Sequence, residues 1–222
     1  MPLTQSQDYF DGLEQYVGTP SPDIWNAIER EHNDETKFSS HNVKDTSPKY
    51  EFDYAAKGEC GNRPNGFVGD FNRKQDLGPK EVRYGWGLDD FCMHDQAREA
   101  KLLREEVLSL RLYTGPMYVW YNNRVLRKAK RGLYVTTIHA INSAIVKLSR
   151  FQKCVTVYRG VAGGVLPDAF FTPDANGAVG GVEAAFMSTT TERTVAMDYA
   201  QRKGADGAPR PSMLFHIKMG MI

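Results

Sequence analysis

The feature that most constrains the fold is a change of hydrophobic period close to Lys153. From Asp95 to Arg150 apolar residues recur at the spacing of one face of an α-helix. After Lys153 they form short runs rich in β-branched and aromatic side chains, separated by Gly, Pro, Asp and Asn. We therefore predict an α+β protein whose main domain spans 95–222, with helices over 95–150 and a β-rich part over 153–222.

Three helices are predicted between Asp95 and Arg150. The first runs from Asp95 to Leu112, and Gly115-Pro116 ends it because proline cannot continue a helix. The others run from Met117 to Lys130 and from Leu133 to Arg150, each with one apolar stripe. We expect the three to pack together as a helical subdomain.

Three β-like runs and one further helix are predicted after Lys153. The runs are Val155–Tyr158, Ala184–Thr190 and Met213–Met219. The helix spans Thr191 to Arg202. Its apolar side consists of Val195, Ala196, Tyr199 and Ala200.

The residues before Asp95 are predicted to contribute little regular structure. Residues 1–50 are polar, contain two Ser-Pro pairs and lack sustained periodicity, so a flexible arm is expected. A short helix over Pro22–His32, capped by Asp23, is the one regular element that their pattern favours. Residues 51–94 are rich in aromatic residues and glycine, and irregular structure against the core is expected there.

Charge, cysteine usage and hydropathy narrow the functional classes. The formal net charge is +1, so charge alone suggests neither nucleic acid nor an anionic membrane as a partner. Cys60, Cys92 and Cys154 are far apart, which argues against a disulfide framework and a structural zinc site. No signal peptide is visible, and no run approaches the about 18 apolar residues of a membrane span. An intracellular protein without a membrane segment or a metal is expected.

Two sets of polar residues are not assigned to a site. The histidines are scattered without the spacing of a metal site or of a nucleophile and its base. A cluster of basic residues is interpreted as a solvated helix face. Its members are Arg124, Arg127, Lys128, Lys130 and Arg131.

Arg159 is the first candidate for a binding site. It follows the run Val155–Tyr158 and precedes Gly160, which leaves room for a ligand to approach the backbone. A planar guanidinium can donate two parallel hydrogen bonds to a pyrophosphate. The alternative is an arginine that only pairs with a nearby carboxylate, and the residues leave both open.

The hydroxyl run Ser188-Thr189-Thr190 is the second candidate. Small hydroxyls both donate and accept hydrogen bonds, as a site for a ribose requires. The same run could instead start the following helix, because Thr189 and Glu192 have the spacing of a capping box. Both roles are compatible if Ser188 faces a site while Thr191 caps the helix.

An ordered set of short motifs runs through the second half of the chain. It consists of Tyr113-Thr114-Gly115, Asn122-Asn123-x-x-Leu126-Arg127, Ile141-Asn142-Ser143-Ala144-Ile145, Tyr158-Arg159-Gly160, Phe186-x-Ser188-Thr189-Thr190 and Ala196-x-x-Tyr199-Ala200. That order resembles the arginine-specific mono-ADP-ribosyltransferases, the clostridial and cholera toxin class with Arg, Ser-Thr-Ser and Glu-x-Glu motifs. The resemblance covers about Asp95 to Ile222 and rests on the ordered set rather than on one motif.

The resemblance implies a reaction in which ADP-ribose passes from NAD to a protein side chain, with arginine as the expected acceptor and nicotinamide as the leaving group. Arg159 would be a catalytic residue that holds the NAD phosphates, with Gly160 beside it. Ser188, the second catalytic residue, would orient the nicotinamide ribose. Thr189 and Thr190 would occupy the remaining Ser-Thr-Ser positions.

The resemblance also implies two weaker contacts and a fold. Tyr199 would lie beside the nicotinamide, and Tyr113 would line the adenosine side. The fold would be a helical subdomain packed on a mixed β-sandwich. The Glu-x-Glu motif would follow the strand that begins at Met213, so the catalytic glutamate is expected past Ile222 and this 222-residue chain is expected to be inactive. NAD glycohydrolysis and a catalytically silent interaction domain are the alternatives.

Overall fold

A computed structural model describes residues 7–34, 47–57, 87–153, 155–201 and 211–218, with the backbone alone for 7–11. The chain divides into two compact units, Met1–Phe151 (unit 1) and Gln152–Ile222 (unit 2). The described residues of unit 1 are mainly helical, and those of unit 2 include an antiparallel sheet and a helix. The α+β class is confirmed, and the units divide beside Lys153, where the hydrophobic period changes.

Unit 1 contains seven α-helices among its described residues. They are α1 (Gln7–Val17), α2 (Ile24–Asn33), α3 (Pro48–Lys57), α4 (Leu88–Met93), α5 (Asp95–Glu99), α6 (Arg104–Leu112) and α7 (Val135–Ser149). Between α6 and α7 the chain forms π-helical turns over Tyr113–Met117 and Trp120–Val125, followed by a 3-10 turn over Leu126–Lys128.

Of the three helices predicted over 95–150, only the third is one continuous α-helix, α7; the second, Met117 to Lys130, forms π-helical and 3-10 turns instead. The first is divided into α5 and α6, and Lys101 between them has a left-handed backbone with φ 53°. Gly115 leaves helical geometry, with φ −84° and ψ −164°, but helical turns resume after it, so Gly115-Pro116 produces a kink rather than an end. α6 packs against α7 and the π-helical turns, as expected of a helical subdomain.

The structure differs from the flexible arm expected over residues 1–50. Val17 at the end of α1 and Ile28 in α2 are fully buried, and α2 packs against α7. α3 begins at Pro48 and buries Phe52. α1 and α2 are amphipathic, so a helical period is present in their sequences, but the polar composition of residues 1–50 as a whole favoured a flexible arm.

Residues 51–94 also differ from the irregular structure expected, because α3 and α4 lie at their two ends. The predicted helix at Pro22–His32 corresponds to α2, but Asp23 makes no side-chain capping hydrogen bond. The predictions that concern 58–86, Cys154, Arg202 and 219–222 lie outside the described residues. None of the helices that the structure describes has the length and apolar character to cross a bilayer.

A carboxylate from α2 caps the N-terminus of α7. The side-chain oxygens of Glu31 accept hydrogen bonds from the backbone N–H groups of Thr136 at 2.7 Å and Thr137 at 3.0 Å, and from the Thr137 hydroxyl at 2.6 Å. The residue that precedes α7, Tyr134, offers no side-chain cap. The first turn of a helix has unsatisfied N–H groups, and the Glu31 carboxyl accepts hydrogen bonds from two of them from outside the α7 sequence.

A second buried carboxylate joins α6 to α7. Glu106 is fully buried and accepts hydrogen bonds from the Ser143 hydroxyl at 2.5 Å, the Lys147 ammonium at 2.8 Å and the Leu103 backbone N–H at 2.7 Å. A buried charge is tolerated only when it is paired and hydrogen-bonded, and Glu106 meets both conditions. Its role is therefore structural.

His32 is buried in its neutral form between α2 and the π-helical turns. Its Nδ1 lies 2.7 Å from the Ile28 carbonyl oxygen, which can only accept, so Nδ1 carries the proton. Nε2 then accepts a hydrogen bond from the Tyr121 hydroxyl, also at 2.7 Å. Burial lowers the pKa of His32 from 6.5 to about 4, although its hydrogen bond to Ile28 acts in the opposite direction.

We predict that this histidine makes unit 1 sensitive to acid. Because the folded-state pKa lies below the unfolded value, the unfolded chain binds the proton more tightly, and stability falls as pH decreases from about 6.5 to about 4. The loss should be up to about 1.4 kcal/mol per pH unit. Chemical denaturation of the wild type and of His32→Gln at several pH values measures it, and the variant should lack this slope.

The matched control is His94→Gln, which removes an exposed imidazole from the same unit. Burial also raises the pKa of the adjacent Glu31, so its contribution to folding stability is lost as pH rises above its unfolded-state pKa. Because Glu31 is present in both proteins, the difference in unfolding free energy between the wild type and His32→Gln isolates the contribution of His32. Identical pH slopes for the wild type and His32→Gln would contradict the prediction.

Unit 2 contains a two-stranded antiparallel sheet among its described residues. β1 (Thr156–Ala162) pairs with β2 (Ser212–Lys218) in a register that sets Arg159 opposite Phe215. A loop that includes a 3-10 turn at Asp168–Phe171 follows β1. Helix α8 (Arg193–Ala200) packs mainly on β1.

Candidate functional site

β1 extends through Arg159 to Ala162, so the arginine lies in the middle of a strand. The predicted strand end at Tyr158, with Arg159 just after it, is wrong. Val161 supplies a further β-branched residue, and pairing with β2 continues as far as Ser212 opposite Ala162. The strand pairing therefore fixes the position of Arg159 along β1.

The predicted strand Ala184–Thr190 forms only one bridge to the sheet. Tyr158 and Thr190 exchange two backbone hydrogen bonds, of 2.7 and 2.9 Å. The residues before Thr190 are loop, consistent with the weak strand preference of Ala184 and Ala185. This single bridge attaches the hydroxyl run to the edge of β1.

Arg159 and Ser188 are brought together by that attachment. Nη1 of Arg159 donates a hydrogen bond to the backbone carbonyl oxygen of Ser188 at 2.9 Å. Ser188 is exposed and Arg159 is half-buried, so the contact lies at the surface of unit 2. Two candidate residues from separate motifs are therefore neighbours.

The hydroxyl run does not cap the helix after it. α8 begins at Arg193, and its preceding residue, Glu192, makes no side-chain capping hydrogen bond. The Thr190 hydroxyl instead accepts a hydrogen bond from the Glu192 N–H at 3.1 Å, within the turn that leads into α8. The capping-box interpretation of Thr189 and Glu192 and the capping role of Thr191 are therefore wrong.

Gly160 allows α8 to pack closely on β1, and it does not leave room for a ligand. A Cβ built on Gly160 would overlap the carbonyl oxygen of Ala196 and lie 2.8 Å from the backbone nitrogen of Ala200. Both alanines are buried. The room that glycine leaves is occupied by the α8 backbone, so the interpretation of Gly160 as a place for ligand approach is wrong.

The two tyrosines expected near NAD lie in different units. Tyr199 is on α8 and is 50% exposed, contrary to its predicted place on the buried side of that helix. Val195, predicted on the same buried side, is also exposed. Tyr113 is in unit 1, where its hydroxyl accepts a hydrogen bond from the Asn122 side chain at 3.3 Å and its ring meets Tyr118 edge to face.

One aromatic contact beside Arg159 was missed in the sequence analysis. The ring of His216 on β2 stacks on Tyr158 with centroids 5.1 Å apart and planes 20° from parallel. The alternation of Met213–Met219 indicated a strand, but only the pairing register sets His216 opposite Tyr158. The sequence alone does not show which residues of β1 and β2 pair, so it could not predict this contact.

Glu183 and Glu192 are the acidic residues that flank the hydroxyl run in sequence. The Glu183 carboxylate accepts a hydrogen bond from the Ala185 N–H at 3.1 Å, within its own loop. Within the described ranges, no cluster of three or more His, Cys, Asp and Glu side chains could hold a metal ion.

Comparisons with protein-family models, with curated proteins and with solved structures found no match to this chain.

We predict that Gly160→Ala destabilises unit 2, because the added methyl group forces α8 away from β1. Overpacking of this kind costs about 1–3 kcal/mol. Amide hydrogen exchange of β1 and α8, followed by mass spectrometry, should show faster exchange in both elements. Gly12→Ala is the control, because nothing lies within 4 Å of a Cβ at that helical position. Unchanged protection in Gly160→Ala would show that α8 does not press on the strand.

Proposed function

We propose that the protein is an NAD-dependent mono-ADP-ribosyltransferase that modifies arginine on an acceptor protein. The observation that carries the proposal is the 2.9 Å hydrogen bond from Arg159 to the Ser188 backbone. It sets a guanidinium beside a serine at an exposed edge of the sheet, as a site for a dinucleotide phosphate and ribose requires.

The contact favours ligand binding over a purely structural arginine. A guanidinium carries five N–H groups in one plane, and the Ser188 carbonyl accepts from one of them. Within the part of the chain that the structure describes, no carboxylate forms an ion pair with Arg159. The ion-pair alternative therefore finds no partner in that part.

The proposed fold is that of the ADP-ribosyltransferases, with β1, β2 and α8 belonging to a mixed β-sandwich. Thr189, exposed next to Ser188, would complete the ribose contacts. The half-exposed ring of Tyr199, which lies on α8 in the same unit as Arg159, is proposed to lie beside the nicotinamide. Thr190 and Gly160 support the site through the turn and the helix contact described above.

The proposed reaction breaks the bond between the ribose C1′ and the nicotinamide nitrogen. The bonding electrons leave with nicotinamide, and a nitrogen of the acceptor arginine attacks C1′ and then loses a proton. The ribose passes through a cation, which a fixed carboxylate nearby would stabilise. Arg159 and Ser188 would contribute by holding the dinucleotide in a reactive orientation.

We predict that Arg159→Lys weakens NAD binding about ten- to a hundredfold, since lysine keeps the charge but cannot make the forked contact. Isothermal titration calorimetry measures binding without requiring turnover. Arg193→Lys is the matched control, because it makes the same replacement at an exposed position of the same unit. Equal NAD affinity in the wild type and Arg159→Lys, with both folded, would reject the proposed site.

We predict that substitutions of Ser188 and Thr190 in the hydroxyl run have different effects on NAD affinity and on stability. Ser188→Ala should reduce NAD affinity and leave the melting temperature nearly unchanged. Thr190→Val should cost about 1 kcal/mol, because it removes the hydrogen bond to Glu192. Calorimetry and thermal melts on both variants test this. A loss of stability without a loss of affinity in Ser188→Ala would assign Ser188 to the scaffold.

A further inference from the structure

A run of basic side chains is exposed where the helical turns of unit 1 end before α7. Every residue from Arg127 to Gly132 is exposed. We call the four charged members of this run the basic turn. They are Arg127, Lys128, Lys130 and Arg131.

The basic turn lies in a stretch of strongly one-sided charge. Between Glu106 and Asp168 the sequence contains ten basic residues and no acidic residue. The net charge of +1 conceals this segregation, because the acidic residues lie elsewhere along the chain. A partner that contacts one face of the molecule responds to the local charge rather than to the sum.

The backbone of the basic turn is held in one conformation. Ala129 is left-handed, with φ 47°, and the N–H groups of Ala129 and Lys130 bond to the carbonyls of Leu126 at 3.1 Å and Val125 at 3.0 Å. This is the Schellman arrangement that ends helices. The segment is also tied to α1, since the Tyr16 hydroxyl donates to the Leu126 carbonyl at 2.7 Å.

Local structural roles account for only part of this charge. Arg124, just before the turn, lies over the Trp120 ring at 4.3 Å, and Arg127 bonds to the Asn123 side chain. Basic residues in the last helical turn also interact favourably with the helix dipole. Lys130 and Arg131 lie beyond the helix end, and among the described residues neither forms an ion pair.

We propose that the basic turn binds the surface of an anionic lipid bilayer. Four basic side chains on a fixed turn match a surface of anionic headgroups, where each lysine or arginine adds to the attraction. The nearby rings of Trp120, Tyr121 and Tyr134 are buried, so they cannot stack on the bases of a single-stranded nucleic acid. The turn exposes no large apolar side chain, so the binding is electrostatic and reversible. This proposal does not depend on the NAD site.

Co-sedimentation with phosphatidylcholine vesicles, with and without about 30% phosphatidylserine, tests the proposal. The wild type should bind only the anionic vesicles and should dissociate as salt is raised toward about 0.5 M, since screening weakens exposed charges. Replacing the four basic-turn residues with glutamine should weaken binding by about fivefold per charge. The control variant replaces Arg30, Arg98, Lys101 and Lys153 with glutamine, which makes the same change in net charge at scattered exposed positions.

The comparison of the two variants decides the outcome. Equal losses in both would show that net charge, not the basic turn, causes binding, and binding to neutral vesicles would also overturn the proposal. A basic-turn variant that keeps vesicle binding but loses binding to a single-stranded RNA would assign the turn to nucleic acid instead. If the fourfold variant melts early, Lys130→Glu provides the same test with one substitution beyond the helix end, and it should lose binding by at least fivefold.

Discussion

The candidate site depends on the close approach of α8 to β1 at Gly160. A side chain at this position would overlap the Ala196 carbonyl, so glycine allows the helix to lie directly on the strand. The chain that enters α8 must then pass the edge of β1, where Thr190 pairs with Tyr158. That pairing sets Ser188 within hydrogen-bonding distance of Arg159. The absence of a side chain at Gly160 thus allows α8 to pack on the strand that carries Arg159.

The buried polar groups of unit 1 hold its helices together through hydrogen bonds. Glu31 caps α7 from α2, Glu106 joins α6 to α7, and His32 bonds to Tyr121 across helices. Each of these links connects elements distant in sequence, so together they select one packing of several short helices. The same groups tie stability to pH, because a neutral buried histidine resists protonation.

The net charge of the chain and the local charge of the basic turn lead to opposite conclusions about an anionic partner. A net charge of +1 argued against an anionic partner, but Arg127 to Arg131 presents four exposed basic side chains on a fixed turn. The interpretation of these residues as one solvated helix face is incomplete, because the helical turns end at Lys128 and leave Lys130 and Arg131 beyond the helix terminus.

The sequence alone determined the elements whose signal is local. The 3.6-residue period predicted α7 and α8, and alternation predicted β2, since each depends only on which neighbouring residues share a face. The adjacency of Arg159 and Ser188 was decided by tertiary structure, because it requires a strand edge, a turn and a helix contact between distant residues. The sequence shows that Gly160 has no side chain, but only the structure shows that the backbone of α8 occupies the space beside it. Packing partners are distant in sequence, so local patterns cannot identify them.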